Sequence, residues 1–172
     1  IPPSTPDAGA SAGTDVRIEV TGLRMEHESF VPRRGASASA GEPIDVTLKD
    51  VRLWTPDEPW IYHFLVDLRR DGQRVDRVES YFAMRKISLG KDDQGFTRIL
   101  LNDKPVFQYG LLDQGFWPDG LYTAPTDEAL RYDIDVTKKL GFNMARKHVK
   151  VEPARWYYWC EKLGLIVWQD MP

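Results

Sequence analysis

Two side chains capable of polar chemistry lie close together in the second half of the chain. Arg146 and His148 are separated by one residue, so on an extended strand they point to the same side. A guanidinium group can hold a carboxylate ionised through two parallel hydrogen bonds, and an imidazole can donate to a hydroxyl group. The alternative for Arg146 is an ion pair with a purely structural role.

Three further candidates follow predicted strands. Asp113 and Asp170 each come directly after an apolar run, where a carboxylate could either contact a ligand or cap a following helix. Trp117 lies in the loop after the first of these runs. Its indole could stack on a ligand or pack inside the loop.

Other reactive side chains favour structural roles. The run Trp156–Trp159 would face all sides of a helix, so at least two of its rings should cover a neighbouring sheet. His27 and His63 have no metal-like spacing, and the single cysteine, Cys160, excludes an intrachain disulfide and a cysteine-based zinc site. We therefore expect no metal site among these residues and no cofactor, with a bound metal left open only for a longer parent protein.

Composition limits the possible partners. Hydrophobic residues make up 42% of the 172 positions, enough for a real core, and the formal net charge is only −3. The charges are interspersed and form no basic surface for nucleic acid, and no apolar run approaches the roughly 20 residues of a membrane span. We expect neither nucleic acid nor membrane as a partner. The sequence does not determine the cellular compartment.

The first half of the chain predicts antiparallel strands. Residues 1–15 are rich in small residues and proline and are expected to be a linker or disordered edge, and 34–41 a loop. Asp71-Gly72 joins two β-rich segments, a strong hairpin signal. These segments predict a β-sandwich over residues 16–90. Alternating apolar positions mark two more strands: Val16, Ile18 and Val20, then Ile44, Val46 and Leu48.

The second part, residues 91–172, alternates strands and helices. A hairpin is predicted over residues 96–110 with its tip at Asn102–Pro105. One helix is predicted between the N-cap Thr126 and Gly141, and another between Pro153 and Gly164. FNMARKHV and LIVWQD are predicted strands, and the second is apolar enough for a parallel sheet.

This βαβαβ order fits either a doubly wound nucleotide-binding sheet or the start of a (β/α)8 barrel. The nucleotide fold needs a glycine-rich turn after its first strand, where backbone amides approach a pyrophosphate. The turn here, GLLDQGFWPDGLYTAPTDE, carries large residues at the close approach. The dinucleotide interpretation is therefore disfavoured.

Five short motifs follow one another along the chain: Leu53-Trp54-Thr55-Pro56, Tyr81-Phe82-Ala83-Met84-Arg85, Leu101-Asn102-Asp103-Lys104-Pro105, Gly141-Phe142-Asn143-Met144-Ala145-Arg146, and Trp156-Tyr157 with Cys160 and Gly164-Leu165. In this order they resemble glycoside hydrolase family 2, at the end of its immunoglobulin-like sandwich and at the entry and first strands of its barrel. The resemblance implies an all-β immunoglobulin-like sandwich followed by a partial α/β TIM barrel.

The chain departs from the family pattern at three places. His148 and Val149 lie where the family has serine and histidine, and Ala83 replaces a glycine. The histidine-rich loop of β-galactosidases is replaced here by Asp113-Gln114-Gly115-Phe116-Trp117. Trp168-Gln169-Asp170 is similar to the β-mannosidase branch. The sugar preference is therefore left open.

The resemblance implies a retaining β-glycosidase, galactosidase-like or mannosidase-like, that hydrolyses O-glycosidic bonds with two carboxyl groups roughly 5 Å apart. In the family these groups come from barrel strands four and seven, and neither matches a residue present here. A closed barrel needs about 250 residues, so we expect a truncated barrel without glycosidase activity in the 172-residue chain.

The resemblance implies that the role of this chain is to contact the carbohydrate substrate. Ligands bind at the carboxyl ends of barrel strands, where Trp117 could stack on a pyranose and His148 could donate to a sugar hydroxyl. The open edge of a truncated barrel would invite a homodimer or a swapped assembly. The candidates for substrate contact are Asp113, Trp117, Arg146, His148, Gln169 and Asp170.

Two alternatives from other classes remain. The sandwich could be a non-catalytic module that binds carbohydrate or protein, with the βαβαβ segment as an independent cap. A structural domain without a ligand is the second alternative.

Overall fold

The computed structural model describes residues 16–25, 31–32, 37–39 and 41–172. The predicted linker at residues 1–15 and His27 lie outside the described residues. Within the described part the chain is mostly β with few helices, and it divides into two compact units. The first unit takes in the described residues up to Leu48 together with His63–Tyr81, and the second comprises Lys49–Tyr62 and Phe82–Pro172.

The first unit is built on one antiparallel sheet. Its order is β2-β1-β4-β5, and β3 pairs with β1 at a separate stretch of that strand. The strands are β1 (Val16–Met25), β2 (Val31–Pro32), β3 (Ser37–Ser39), β4 (Tyr62–Arg70) and β5 (Gln73–Phe82). The predicted strand at Val16 and the hairpin at Asp71-Gly72 are confirmed, since both turn residues have positive φ (51° and 77°).

A buried carboxylate links the two strands of that hairpin. Asp67 on β4 accepts hydrogen bonds from Nε and Nη2 of Arg77 on β5, at 2.6 and 2.9 Å. These hydrogen bonds lower the pKa of Asp67, against the opposing effect of burial. The pair links β4 to β5 through side chains.

Two predictions in this region are wrong. Ile44, Val46 and Leu48 alternate as a strand would, but residues 43–48 form no strand, and Val46 is exposed. The predicted loop at 34–41 contains β3 at Ser37–Ser39, while residues 34–36 and 40 lie outside the described part. In both cases a strand forms only where a neighbouring strand supplies hydrogen-bond partners. Alternation of apolar and polar residues does not decide it.

The second unit contains a small antiparallel sheet and a parallel one. The antiparallel order is β6-β7-β8, and the parallel order is β9, β10, β11 across the sheet. The strands are β6 (Ile87–Lys91), β7 (Thr97–Leu101), β8 (Lys104–Pro105), β9 (Gly110–Asp113), β10 (Met144–Lys147) and β11 (Ile166–Gln169). The predicted hairpin tip is tighter than expected, with a two-residue turn at Asn102-Asp103, and the longer pairing of β7 is with β6.

Both predicted helices are present. Helix α1 (Asp127–Lys139) begins after Thr126, whose hydroxyl accepts a hydrogen bond from the amide of Ala129. Helix α2 (Ala154–Leu163) follows Pro153 and ends at Gly164 in the left-handed conformation, φ 81°. Among the residues that the structure describes, no helix is long and apolar enough to cross a membrane.

The helices cover one face of the parallel sheet. The core consists of apolar residues of α1, α2, β10 and the start of β11: Leu130, Ile134, Ala145, Trp156, Cys160 and Leu165. Burial raises the pKa of the Cys160 thiol, which makes it an inert core residue.

The Trp-Thr-Pro segment of the family-like motif is anchored to the helices. Trp54 is buried and its Nε1 donates to the carbonyl of Glu161 at 2.6 Å. Lys138 Nζ donates to the carbonyls of Pro56 and Gly164, both at 2.9 Å, and burial lowers its pKa. The segment before β4 is therefore part of the packing of the second unit.

Candidate functional site

The three parallel strands place two kinds of residues on opposite faces. In register, Leu111, Ala145 and Val167 lie side by side on the face covered by the helices. The next row, Leu112, Arg146 and Trp168, lies on the other face and is exposed. Because the strands are parallel, their carboxyl ends meet at one edge, and the predicted site residues gather there.

Arg146 and Asp170 form an ion pair at this edge. Arg146 Nε lies 3.1 Å from Asp170 Oδ1, and Nη2 lies 2.9 Å from Oδ2. The hydrogen bonds with Asp170 raise the pKa of Arg146, so the guanidinium stays charged. Arg146 is therefore already paired with both carboxylate oxygens of Asp170. This matches the structural ion pair that was the alternative to holding a catalytic carboxylate.

His148 lies on the same edge, close to the loop after β9. Its backbone amide donates to the carbonyl of Asp113 at 2.8 Å, and its Nδ1 is 3.2 Å from Nε2 of Gln114. If Gln114 donates, Nδ1 is the acceptor and Nε2 carries the proton. An imidazole held in this way can donate to a hydroxyl group from Nε2.

Asp113 is directed into the protein. Its Oδ2 accepts from Lys147 Nζ at 2.8 Å, and its Oδ1 accepts from the amide of Gly115 at 2.8 Å. It does not cap α1, whose N-cap is Thr126. Its role here is to fix the start of the loop after β9.

Lys147 and Glu152 form a buried centre under the strand ends. Lys147 Nζ is 2.8 Å from Glu152 Oε1 and 4.3 Å from the centre of the Trp156 ring. Lys150 Nζ lies 2.9 Å from the same Glu152 oxygen. Asp113, Lys147, Lys150 and Glu152, here called the lysine–carboxylate cluster, carry two positive and two negative groups that compensate one another.

Sequence reasoning did not find the lysine–carboxylate cluster. The segment KHVKVEP places two lysines and a glutamate three and two residues apart, a spacing with no strand or helix period. The only available signal was the presence of several charges directly after an apolar strand. Val149, between His148 and Lys150, has φ +44°, a strained conformation for a β-branched residue.

Lys150 also holds the loop that follows β9. Its Nζ donates to the carbonyls of Gly115 at 2.7 Å and Tyr122 at 2.8 Å, which closes residues 115–122 into a compact loop. Gly115 has φ +65°, and a Cβ there would lie 2.3 Å from Glu152 Oε1. The loop conformation thus requires glycine at this point.

Trp117 packs inward on this loop. It pairs with Leu121 through two backbone hydrogen bonds, and its half-buried ring lies against the core cluster. The neighbouring rings, Phe116 and Tyr122, are exposed. The stacking role of Trp117 stays a prediction. In the structure its ring packs against the core cluster.

The aromatic run on α2 divides as expected between core and rim. Trp156 is buried in the core, and Tyr157 donates from its hydroxyl to Gln169 Oε1 at 2.6 Å. Gln169 Nε2 in turn donates to the carbonyl of Lys150 at 2.8 Å. Gln169, a predicted site residue, therefore connects the end of β11 to the lysine–carboxylate cluster.

Among the described residues no group of histidine, cysteine or carboxylate side chains could hold a metal ion. His63 lies 3.5 Å from Glu79 in the first unit. The site at the strand ends thus consists of polar, charged and aromatic side chains only.

Comparison with known proteins shows what the chain is similar to. The model of the "Glycosyl hydrolases family 2" matches residues 5–85. A β-galactosidase large subunit of Lactobacillus acidophilus is 27% identical over 120 residues, which is 69% of this chain and 18% of that protein. A putative β-glucuronidase of Formosa agariphila is 26% identical over 165 residues, covering 95% of this chain and 15% of its own length.

Solved structures share the fold at low identity. The β-glucuronidase of Parabacteroides merdae superposes with a TM-score of 0.73 at 19% identity, over 92% of this chain and 20% of that one. The β-glucuronidase of Bifidobacterium dentium gives 0.75 at 18%, over 91% and 24%. The chain spans less than a quarter of each of these relatives. The family model, these relatives and the ordered motifs all show similarity to glycosyl hydrolase family 2, and the solved structures share the fold of the chain.

Proposed function

We propose that this chain is the part of a retaining β-glycosidase that lines the substrate site, and that it hydrolyses no glycoside by itself. The Arg146–Asp170 pair and the Gln114–His148 contact, side by side at the carboxyl edge of a parallel sheet, carry the proposal. In a (β/α)8 barrel this edge faces the substrate. The similarity to glycosyl hydrolase family 2 supplies the class of reaction.

The proposed architecture is an immunoglobulin-like sandwich over residues 16–90 and the first three strands of a barrel over 91–172. The parallel β9, β10 and β11 with two covering helices support the second part. The proposed substrate contacts are those of the strand ends: Asp113, Trp117, Arg146, His148 and Asp170. Asp113 is directed into the protein, so its proposed effect on the substrate is indirect and depends on the lysine–carboxylate cluster.

Retaining glycosidases use two carboxyl groups roughly 5 Å apart, one as nucleophile and one as acid and base. Asp113 and Glu152 are bound to lysines, and Asp170 is bound to Arg146. Each of the three is engaged by a basic partner, and none of them matches a catalytic carboxylate of the family. We therefore assign both catalytic carboxylates to positions outside residues 1–172.

Hydrolysis of nitrophenyl β-glycosides tests this proposal. The 172-residue chain is compared with the longest protein that its gene encodes, using galactoside, glucoside, mannoside and glucuronide. We expect activity only in the longer protein, and the preferred glycoside identifies the sugar. Activity in residues 1–172 alone would overturn the placement of the catalytic carboxylates.

Self-association is a separate part of the proposal. Within the described residues β9 and β11 each pair only with β10, so both edges of the parallel sheet are open, which favours dimerisation of the isolated chain. Light scattering of the 172-residue chain tests it. A monomer at high concentration would contradict the predicted homodimer or swapped assembly.

A further inference from the structure

Two exposed aromatic rings lie against each other on the loop after β9. The ring centres of Phe116 and Tyr122 are 4.6 Å apart at an interplanar angle of 45°. Phe116 is 58% exposed and Tyr122 is 55% exposed. Aromatic side chains gain most from burial, so two adjacent exposed rings on an ordered loop indicate a binding surface.

The rings are held in place before any ligand arrives. Lys150 Nζ binds the carbonyls of Gly115 and Tyr122, and it lies 5.2 Å from the centre of the Tyr122 ring. Leu121 adopts φ +52°, a conformation that an L residue keeps only when its surroundings impose it. A surface fixed in this way loses little conformational entropy when it binds a ligand.

The polar partners of a sugar lie next to these rings in the chain. Gln114, two residues before Phe116, contacts His148, and Asp113 fixes the start of the same loop. A pyranose has an apolar face of C–H groups and an equatorial rim of hydroxyls. It therefore fits an aromatic surface with hydrogen-bonding groups beside it better than a purely apolar ligand does.

We propose that Phe116 and Tyr122 form a stacking platform for a pyranose ring of the carbohydrate, with Lys150 as the positioning residue of that platform. The proposal takes its ligand class from the proposed function, but its contacts are independent of the catalytic carboxylates. The platform is distinct from the half-buried ring of Trp117, which packs against the core cluster.

Binding of thio-linked β-disaccharides, which glycosidases do not cleave, tests the platform in the full-length protein that the gene encodes. Isothermal titration is made with disaccharides ending in galactose, glucose, mannose or glucuronate. We expect Phe116→Ala and Tyr122→Ala each to weaken binding roughly tenfold, as expected for loss of one stacked ring.

Phe96→Ala is the matched control. Phe96 is also 58% exposed, belongs to the same compact unit, and lies in the turn between β6 and β7. We expect its substitution to leave the affinity unchanged. Equal affinities of wild type, Phe116→Ala and Tyr122→Ala would overturn the platform, as would the absence of any binding by wild type at millimolar concentration.

A double substitution tests the role of Lys150. If Lys150 holds the platform, Phe116→Ala should cost less affinity in a Lys150→Met background than in wild type. Additive losses would overturn the positioning role, and the two single ring variants still decide the platform if Lys150→Met fails to fold.

The platform and the proposed function fail in different ways. Disaccharide binding that depends on Phe116, without hydrolysis of any nitrophenyl glycoside, would retain the platform and reject the glycosidase. Hydrolysis with a KM that is the same in wild type and Phe116→Ala would reject the platform and retain the glycosidase.

Discussion

Lys147 Nζ lies 2.8 Å from Glu152 Oε1, and the side chains of both residues are almost completely shielded from solvent, at 1% and 3% exposure. A buried charge is tolerated only when it is paired and its remaining hydrogen bonds are made. Here Asp113 and Lys150 complete the pairing. The charged residues at the end of β10 and in the loop after it therefore depend on Asp113, at the end of β9, for part of their pairing.

Removal of one charge from this cluster should be costly. Lys147→Met leaves Asp113 and Glu152 with one ammonium group instead of two, and we expect a loss of about 3–5 kcal/mol in the free energy of unfolding. Urea denaturation measures it. The control is Lys86→Met, whose partner Asp103 is exposed, with an expected loss of at most about 1 kcal/mol. Equal losses in the two variants would contradict a buried, paired Lys147.

Gly164 should resist substitution more strongly than Gly141. Both end a helix with positive φ, 81° and 87°, so alanine costs about 1–2 kcal/mol at either one through its backbone conformation. A Cβ at Gly164 would lie 2.2 Å from the carbonyl oxygen of Pro56, whereas Gly141 has no atom within 4 Å. Thermal unfolding should therefore show a clearly larger loss for Gly164→Ala, and similar losses would mean that Pro56 moves freely.

The Asp67–Arg77 contact predicts a pH dependence of stability. The hydrogen bonds from Arg77 lower the folded pKa of Asp67 below the unfolded value of about 3.9. Its stabilising contribution is thus complete above the unfolded pKa and lost as the pH falls through the folded pKa. Asp67→Asn should therefore be less stable than wild type at pH 7, and the difference should shrink in acid.

Urea midpoints between pH 2.5 and pH 7 measure this difference. Asp103→Asn, at an exposed pair with Lys86, is the control and should change the midpoint little at any pH. A difference between wild type and Asp67→Asn that stays constant across this range would contradict the assignment.

Arg146 should matter for activity through the shape of its side chain. Arg146→Lys keeps the charge but loses the two parallel hydrogen bonds to Asp170. If the full-length protein hydrolyses glycosides as proposed, we expect its kcat/KM to fall roughly tenfold or more. Arg98→Lys is the matched control, since Arg98 is also 52% exposed and also binds an aspartate, Asp92. An unchanged kcat/KM in Arg146→Lys would remove Arg146 from the site.

Local sequence determined the elements with strong local signals. Thr126 with the two acidic residues after it, and the glycines that end each helix, predict α1 and α2 within a residue or two. Asp71-Gly72 predicts its hairpin for a similar reason, because few residues adopt positive φ at both turn positions. The ordered motifs indicated a similarity to glycosyl hydrolase family 2 from the sequence alone, and the family model matches residues 5–85.

Tertiary structure decided the rest. Alternation at Ile44, Val46 and Leu48 was not enough for a strand, since a strand exists only when a partner completes its hydrogen bonds. Which of Phe116 and Trp117 faces solvent depends on where α1 and α2 pack, and the irregular loop carries no period that reveals it. The lysine–carboxylate cluster likewise joins the last residues of β9 and β10 to the loop after β10, and only the parallel alignment of the two strands brings Asp113 and Lys147 together.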